Sequence, residues 1–129
     1  MNEVIKFLKD CGTFYLATTD GDQPRVRPFG AVVEMDGKIY ICTNNTKDCF
    51  KQMIENPKIE ISATNQKGDT WIRICGIASL DSALDKKEKF LEEYKLPMYK
   101  PDDGIFELFS LSGAAVISSF TSEPKSYSI

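Results

Sequence analysis

Residues 23–47 read QPRVRPFGAVVEMDGKIYICTNNTK, and the rest of the chain is organised around them. The stretch predicts a β-hairpin that runs into the first turn of a helix. Pro24 to Glu34 is rich in β-favouring residues, Met35-Asp36-Gly37 supplies the turn, and Lys38 to Thr43 returns as the apolar strand KIYICT. A helical pattern follows from Lys47, with Phe50, Met53 and Ile54 at i, i+3 and i+4, and Asn56-Pro57 stops it.

The chemistry of this unit is concentrated at its two ends. Three arginines occur in the chain, and two of them, Arg25 and Arg27, stand at i, i+2 on one strand face. Pro28 cannot donate to a ladder, so this end of the strand is an edge, a bulge or a kink. At the other end Asn45 or Thr46 is the expected N-cap of the helix. A helix N-terminus with free N–H groups, hydroxyls and the lysine Lys47 forms an anion site, with phosphate the usual guest. Arginine adds a bidentate donor to such an anion. Each feature has an ordinary reading as well: Arg-x-Arg pairs decorate solvated strands, and Thr-Lys often starts a helix. Their joint occurrence on one unit is what points to an anion.

PRVRPFG, the short hairpin, YICTNNTK and the later strand NPKIEIS together resemble the pyridoxamine 5′-phosphate oxidase-like, FMN-binding split-barrel family. The likeness is to its small bacterial general stress and Nim-type members, and it runs from about Phe7 to Phe120. It implies a split β-barrel of about six to seven strands with flanking helices, and FMN held at a homodimer interface. By the resemblance Arg25 reaches the FMN phosphate, and the backbone of Val26, Arg27, Pro28 and Phe29 passes along the isoalloxazine ring. Cys42, Thr43 and Asn44 contact the ribityl and ring region, and Thr46 and Lys47 complete the phosphate site. The Arg27 side chain is left open between ring edge, substrate and solvent. Trp71 is placed on a strand that crosses the dimer interface, where it reaches the partner's flavin; a core or interface anchor is the plainer reading of the same residue.

Composition sets the bounds. At 129 residues, 42% apolar and 27% charged, the chain reads as one globular domain, residues 1–129. A net charge of −3 without a basic stripe argues against a nucleic-acid partner. No apolar run approaches the ~20 residues of a membrane span, and MNEVIKFLKD lacks a signal-peptide core. Cys11, Cys42, Cys49 and Cys75 form no C-x-x-C, which favours reduced thiols in a cytoplasmic protein. The absence of histidine excludes Ser-His-Asp and Cys-His mechanisms, His-ligated haem and the common His-bearing zinc sites, and no metal is expected. It also removes the histidine near the flavin that has been linked to function in some Nim-type relatives, so nitroimidazole reduction by that route is not expected.

Outside the central unit, Glu3 to Asp10 predicts an amphipathic helix with Val4, Ile5 and Leu8 on one side, stopped at Gly12. Thr13 to Thr19, Lys58 to Thr64 and Thr70 to Leu80 predict strands; Trp71, Arg73 and Cys75 share one face of the last, and Gly76 marks a bend. Asp81 to Lys95 predicts a helix with Leu84, Phe90, Leu91 and Tyr94 apolar and Ser82 and Asp85 as a capping box. Leu96 to Gly104 is a loop in which Met98 and Tyr99 are candidates for the wall of a substrate opening. Two further strands, Ile105 to Ser110 and Ala114 to Phe120, are expected to join at Leu111-Ser112-Gly113, with an extended or mobile tail.

The function expected is an FMN-dependent oxidoreductase passing electrons to a small-molecule acceptor, with NAD(P)H a candidate donor and no general acid or base assigned. The alternatives are a flavin-binding carrier, sensor or stress-response protein without turnover, and a barrel that takes a deazaflavin. Oxidation of pyridoxamine 5′-phosphate itself is not expected. The chain ends soon after its last strand and has no counterpart of the segment that carries the oxidase's substrate-binding arginine and histidine.

Overall fold

The computed structural model describes residues 2–129; Met1, the first residue of the segment read for a signal peptide, lies outside them. Among the described residues there are three helices and eight strands. They run α1 (Asn2–Cys11), β1 (Phe14–Asp20), β2 (Gln23–Phe29), β3 (Val32–Met35), β4 (Lys38–Asn44), α2 (Asp48–Glu55), β5 (Lys58–Thr64), β6 (Thr70–Leu80), α3 (Leu84–Glu93), β7 (Phe106–Ser119) and β8 (Lys125–Ser128). All pairings are antiparallel, in the order β2-β1-β5-β6-β7-β4-β3, and β8 pairs with β7. The sheet does not close. Its two end strands, β2 and β3, are consecutive in sequence and joined by residues 30–31 alone, which makes a barrel split along that seam.

This corrects the expected hairpin. Gln23–Phe29 pairs with β1, from Asp20↔Gln23 to Phe14↔Phe29, and the hairpin partner of β4 is the short strand Val32–Met35. The run from Pro24 to Glu34 is therefore two strands on opposite sides of the seam. Pro28 sits on an edge strand, as its missing N–H requires. The β3–β4 turn has positive φ at both central residues, Asp36 (52°) and Gly37 (74°), the two-residue geometry that matches strand twist.

Two apolar clusters hold the fold. The first fills the barrel, with Phe14 and Leu16 from β1, Ile61 from β5, Ile72 and Ile74 from β6, and Val4 and Leu8 from α1. Each such side chain stabilises the fold by roughly 1.5–3 kcal/mol relative to exposure. The second lies outside the barrel wall, where Phe90 of α3 packs with Phe106 and Leu108 of β7 and with Val33 and Tyr40 of the hairpin. The hairpin is thus buried on both faces: Val32, Ile39 and Ile41 point into the barrel, while Val33, Met35 and Tyr40 meet α3. That is why KIYIC reads as a continuous apolar run rather than an alternating one.

Four local expectations change. The N-cap of α2 is Lys47, not Asn45 or Thr46, and no side chain caps it. Ala83 caps α3, again without a side-chain bond, because Ser82 Oγ is spent on the backbone of Leu108. Ile54 and Leu84, placed on apolar helix faces by their spacing, are exposed. Finally, Phe106–Ser119 is one 14-residue strand, and the tail adds β8 to it. Its Gly113, read as a turn residue, has φ 144° and stays within the ladder opposite Gly76.

Candidate functional site

The sheet brings the two ends of the 23–47 stretch back together on one side of the barrel. Arg25 and Arg27 leave β2 on its inward face, and the N-terminus of α2 stands across from them. Between them lies a trough of about 500 Å³ bordered by Asp20, Arg25, Val26, Arg27, Lys47, Asp48, Cys49 and Gln52. A cavity of about 430 Å³ adjoins it, sharing Arg27, Lys47 and Cys49. Its floor and near wall come from Pro28, Phe29, Gly30, Ala31, Cys42 and Thr43, and its far wall from Tyr94, Leu96 and Tyr99. One end of this composite site is polar and cationic, and the other is mostly apolar with a few convergent polar groups, the usual make-up of a small-molecule cleft.

The two arginines are held differently. Arg27 is locked: Nη1 donates to Leu16 O (3.2 Å) and Thr18 Oγ1 (2.8 Å), and Nη2 donates to Gln52 Oε1 (2.7 Å). Arg25 is half-exposed at the rim, where its Nε meets Asp20 Oδ2 at 3.2 Å. The Lys47 ammonium has no hydrogen bond or ion pair among the described residues. The first-turn N–H groups of α2 have no intrahelical acceptor, and no side chain caps them. Cationic donors and open N–H groups therefore face one volume.

Asn44 and Thr46 serve the site from beneath. Asn44 Oδ1 accepts from both the backbone N–H and the hydroxyl of Thr46, forming the turn that leads into α2. Asn44 Nδ2 donates to Tyr99 Oη at 2.7 Å and so fixes the far wall of the cavity. Asn45 ties the same turn to Gly104 O and Glu107 Oε2. Asp103 holds the wall loop by accepting from the backbone of Lys100, Ile105 and Phe106, and these bonds, that from Lys100 foremost, hold its carboxyl below the ordinary range. Burial pushes the Cys42 thiol up to about 12, with the nearby Lys47 charge working against the shift.

Of the residues expected from sequence, Arg25, Val26, Arg27, Pro28, Phe29, Cys42, Thr43 and Lys47 border the composite site. Asn44 and Thr46 shape its turn without lining it. Trp71 is elsewhere: it lies on the outward face of β6, its ring 5.1 Å from that of Phe120. Tyr99 lines the cavity as anticipated, whereas Met98 is 65% exposed and does not. Sequence reasoning missed Gln52, Cys49, Tyr94 and Leu96. A mid-helix glutamine gives no signal of its own, and in the sequence Tyr94 and Leu96 read as part of a helix face and of a connector.

A family model described as pyridoxamine 5′-phosphate oxidase matches residues 1–116. The chain belongs to the pyridoxamine 5′-phosphate oxidase family. Within solved structures of this fold, it is similar to a NimC/NimA family protein from Clostridium acetobutylicum. The two are 52% identical with a TM-score of 0.97, over 100% of this chain and 92% of that one. General Stress Protein 26 from Bacillus anthracis shares the fold at 17% identity and TM-score 0.77, over 99% and 97% of the two chains. So does a pyridoxamine 5′-phosphate oxidase-related, FMN-binding protein from Nostoc punctiforme, at 14% identity and TM-score 0.69, over 99% and 96%. No curated protein matches the sequence. The mainly β split barrel expected from sequence is the fold of this chain.

Proposed function

We propose that this chain is an FMN-binding flavoprotein that passes electrons through the flavin to a small-molecule acceptor. The observation that carries the reading is the continuity of the site. Arg25, Lys47 and the uncapped N-terminus of α2 gather cationic donors at one end, and an apolar cavity opens directly from them at the other. FMN has that polarity, with a phosphate on a polar ribityl chain and a flat apolar ring system. When bound, it supplies the electron-transfer chemistry, and the protein's share is binding, orientation and electrostatics.

In this reading Lys47 and Arg25 hold the phosphate, and Thr46 shapes the turn that presents it. Arg27 stands at the junction of trough and cavity with its plane already fixed. The edge strand β2 borders the trough through Val26 and runs beside the cavity through Pro28 and Phe29. Pro28 offers no N–H, so donors toward the ring come from its neighbours. Thr43, Cys42 and the Asn44–Tyr99 pair close the ribityl and ring end, with Cys42 a neutral thiol.

A homodimer completes the proposal. The outward sheet face carries Tyr15 (50% exposed), Val26 (67%) and Ile77 (39%), with Trp71 and the 78% exposed Phe120 at its far end. These apolar side chains share the outward side of the sheet with the exposed Arg73–Glu60 ion pair, and a mixed apolar and charged face of this kind suits association with a second copy. On such a face Trp71 serves the partner's site rather than its own.

The test is an absorbance titration of the purified chain with FMN, followed by NADH or NADPH. Saturable binding with bleaching of the flavin band supports the reductase. Binding without bleaching by either nicotinamide supports the carrier or sensor alternative. No uptake of FMN refutes the flavin reading.

A further inference from the structure

Gln52, one turn into α2, joins three elements of the site. Its Oε1 accepts from Thr18 Oγ1 of β1 at 2.6 Å and from Arg27 Nη2 of β2 at 2.7 Å. Chemistry fixes which end of the amide does this. A guanidinium only donates, so the atom facing it is the oxygen. The amide nitrogen is then left with two N–H groups and no partner among the described residues, and Gln52 borders the cationic trough. Arg27 has five N–H groups. Three are occupied by Leu16, Thr18 and Gln52, which leaves one on Nη2 and the one on Nε for a ligand.

The charge balance of the trough gives this neutral donor weight. Arg25, Arg27 and Lys47 are opposed there by Asp20 and Asp48, and Arg25 is already engaged by Asp20. A phosphate entering such a site depends on donors that carry no competing carboxylate. Gln52 is one, and it also holds Arg27 in a single pose without neutralising it.

We propose that Gln52 makes the site selective for a phosphorylated flavin. Its oxygen orients Arg27, and its amide N–H groups donate to the phosphate. The proposal rests on the flavin reading above and adds a residue and a selectivity to it. A purely structural role, pinning α2 to β1 and β2, predicts something different. Loss of Gln52 would then weaken every ligand of the site alike.

The experiment is a pair of titrations, FMN and riboflavin, on the full chain and on Gln52→Glu and Gln52→Met, with thermal unfolding to check that each variant folds. Gln52→Glu keeps an acceptor for Arg27 and Thr18 but removes both N–H groups and adds a negative charge. FMN affinity should fall roughly tenfold to a hundredfold, the loss of one or two charge-assisted donors, while riboflavin affinity stays within about threefold. Gln52→Met removes both roles and should lower the FMN-to-riboflavin preference in the same direction. Parallel weakening of the two flavins, or wild-type FMN affinity in Gln52→Glu, overturns the proposal and leaves the flavin reading standing. Failure of the unsubstituted chain to take up either flavin refutes the flavin reading itself and the proposal with it.

Discussion

Gly76 of β6 and Gly113 of β7 face each other across the ladder, and neither has room for a side chain. A Cβ on Gly76 would lie 2.4 Å from the carbonyl oxygen of Ser112; one on Gly113 would lie 2.2 Å from that of Cys75. Gly113 also holds φ 144°, a conformation other residues rarely adopt. The two backbones meet where β7 passes from pairing with β4 to pairing with β8, while β6 pairs with it from Phe109 to Ser119.

Gly113→Ala should therefore be among the most damaging small substitutions in the chain. Overpacking against backbone and a disfavoured φ together cost roughly 2–4 kcal/mol. The midpoint of urea unfolding measures it. A variant as stable as the parent would mean that the two strands part more easily than their contact suggests.

Lys47→Ala and Arg25→Ala should each weaken FMN binding about tenfold, since each removes a charged donor from the trough. Arg25 is half-exposed, which screens its contribution and keeps the estimate at the low end. Fluorescence titration gives both values. Unchanged affinity in both variants would falsify the phosphate assignment.

Asp20→Asn should act in the opposite direction. Asp20 engages Arg25 and adds a negative charge beside the expected phosphate. Neutralising it frees Arg25 and should tighten FMN severalfold at low ionic strength, with the gain shrinking as salt rises. Weaker binding would instead make the ion pair a positioning contact.

Cys42 borders the cavity, yet its thiol should resist alkylation at neutral pH. The thiolate is the reactive species, and burial pushes this group up to about 12. Peptide mass spectrometry after brief iodoacetamide treatment, with the urea-unfolded chain as reference, reads it directly. Rapid labelling of Cys42 in the folded chain would show a more open cavity than the geometry describes.

The acid limb of stability should report Asp81. Its carboxylate accepts from Tyr40 Oη and Lys86 Nζ at 2.7 and 2.8 Å, and the Lys86 contact, then that of Tyr40, holds its carboxyl below the ordinary range. A depressed folded-state value means stabilisation that is present above the unfolded carboxylate range, near pH ~4, and is lost as pH falls through the lower folded value. Thermal unfolding of the parent and of Asp81→Asn should therefore differ by a constant amount from about pH 5 to 8 and converge in stronger acid. Convergence already at pH 6 would remove Asp81 from that role.

The sequence revealed elements more readily than their connections. β5 and β6 have the bounds read from alternation, because one wet face leaves a clean period of two. The cationic end of the site is legible because Arg25, Arg27 and Lys47 are charged and close in sequence. The partner of β2 is not. Strand pairing is a long-range choice, and residues 30–31 carry the chain from one edge of the sheet to the other without a turn signature. Gly113 looked like a turn because Ser-Gly usually is one; its role lies in the approach of β6, which appears only in three dimensions. Gln52 escaped for a similar reason, since its importance depends on Thr18 and Arg27, which are 34 and 25 residues away.

The composite site straddles the boundary between the two apolar clusters. β1, β2 and α2 rest on the barrel core and carry the cationic end, whereas Tyr94, Leu96 and Tyr99 rest on the outer cluster around Phe90 and Phe106. The two ends rest on different cores and are joined at the turn before α2, where Asn44 holds Thr46 on one side and Tyr99 on the other. Substitutions around Phe90 can reshape what stands over the apolar cavity while the barrel core beneath β2 and α2 stays as it is. A lineage built on such a plan can change its reaction partners by editing one wall. That is one physical way for a single barrel to serve dissimilar chemistries.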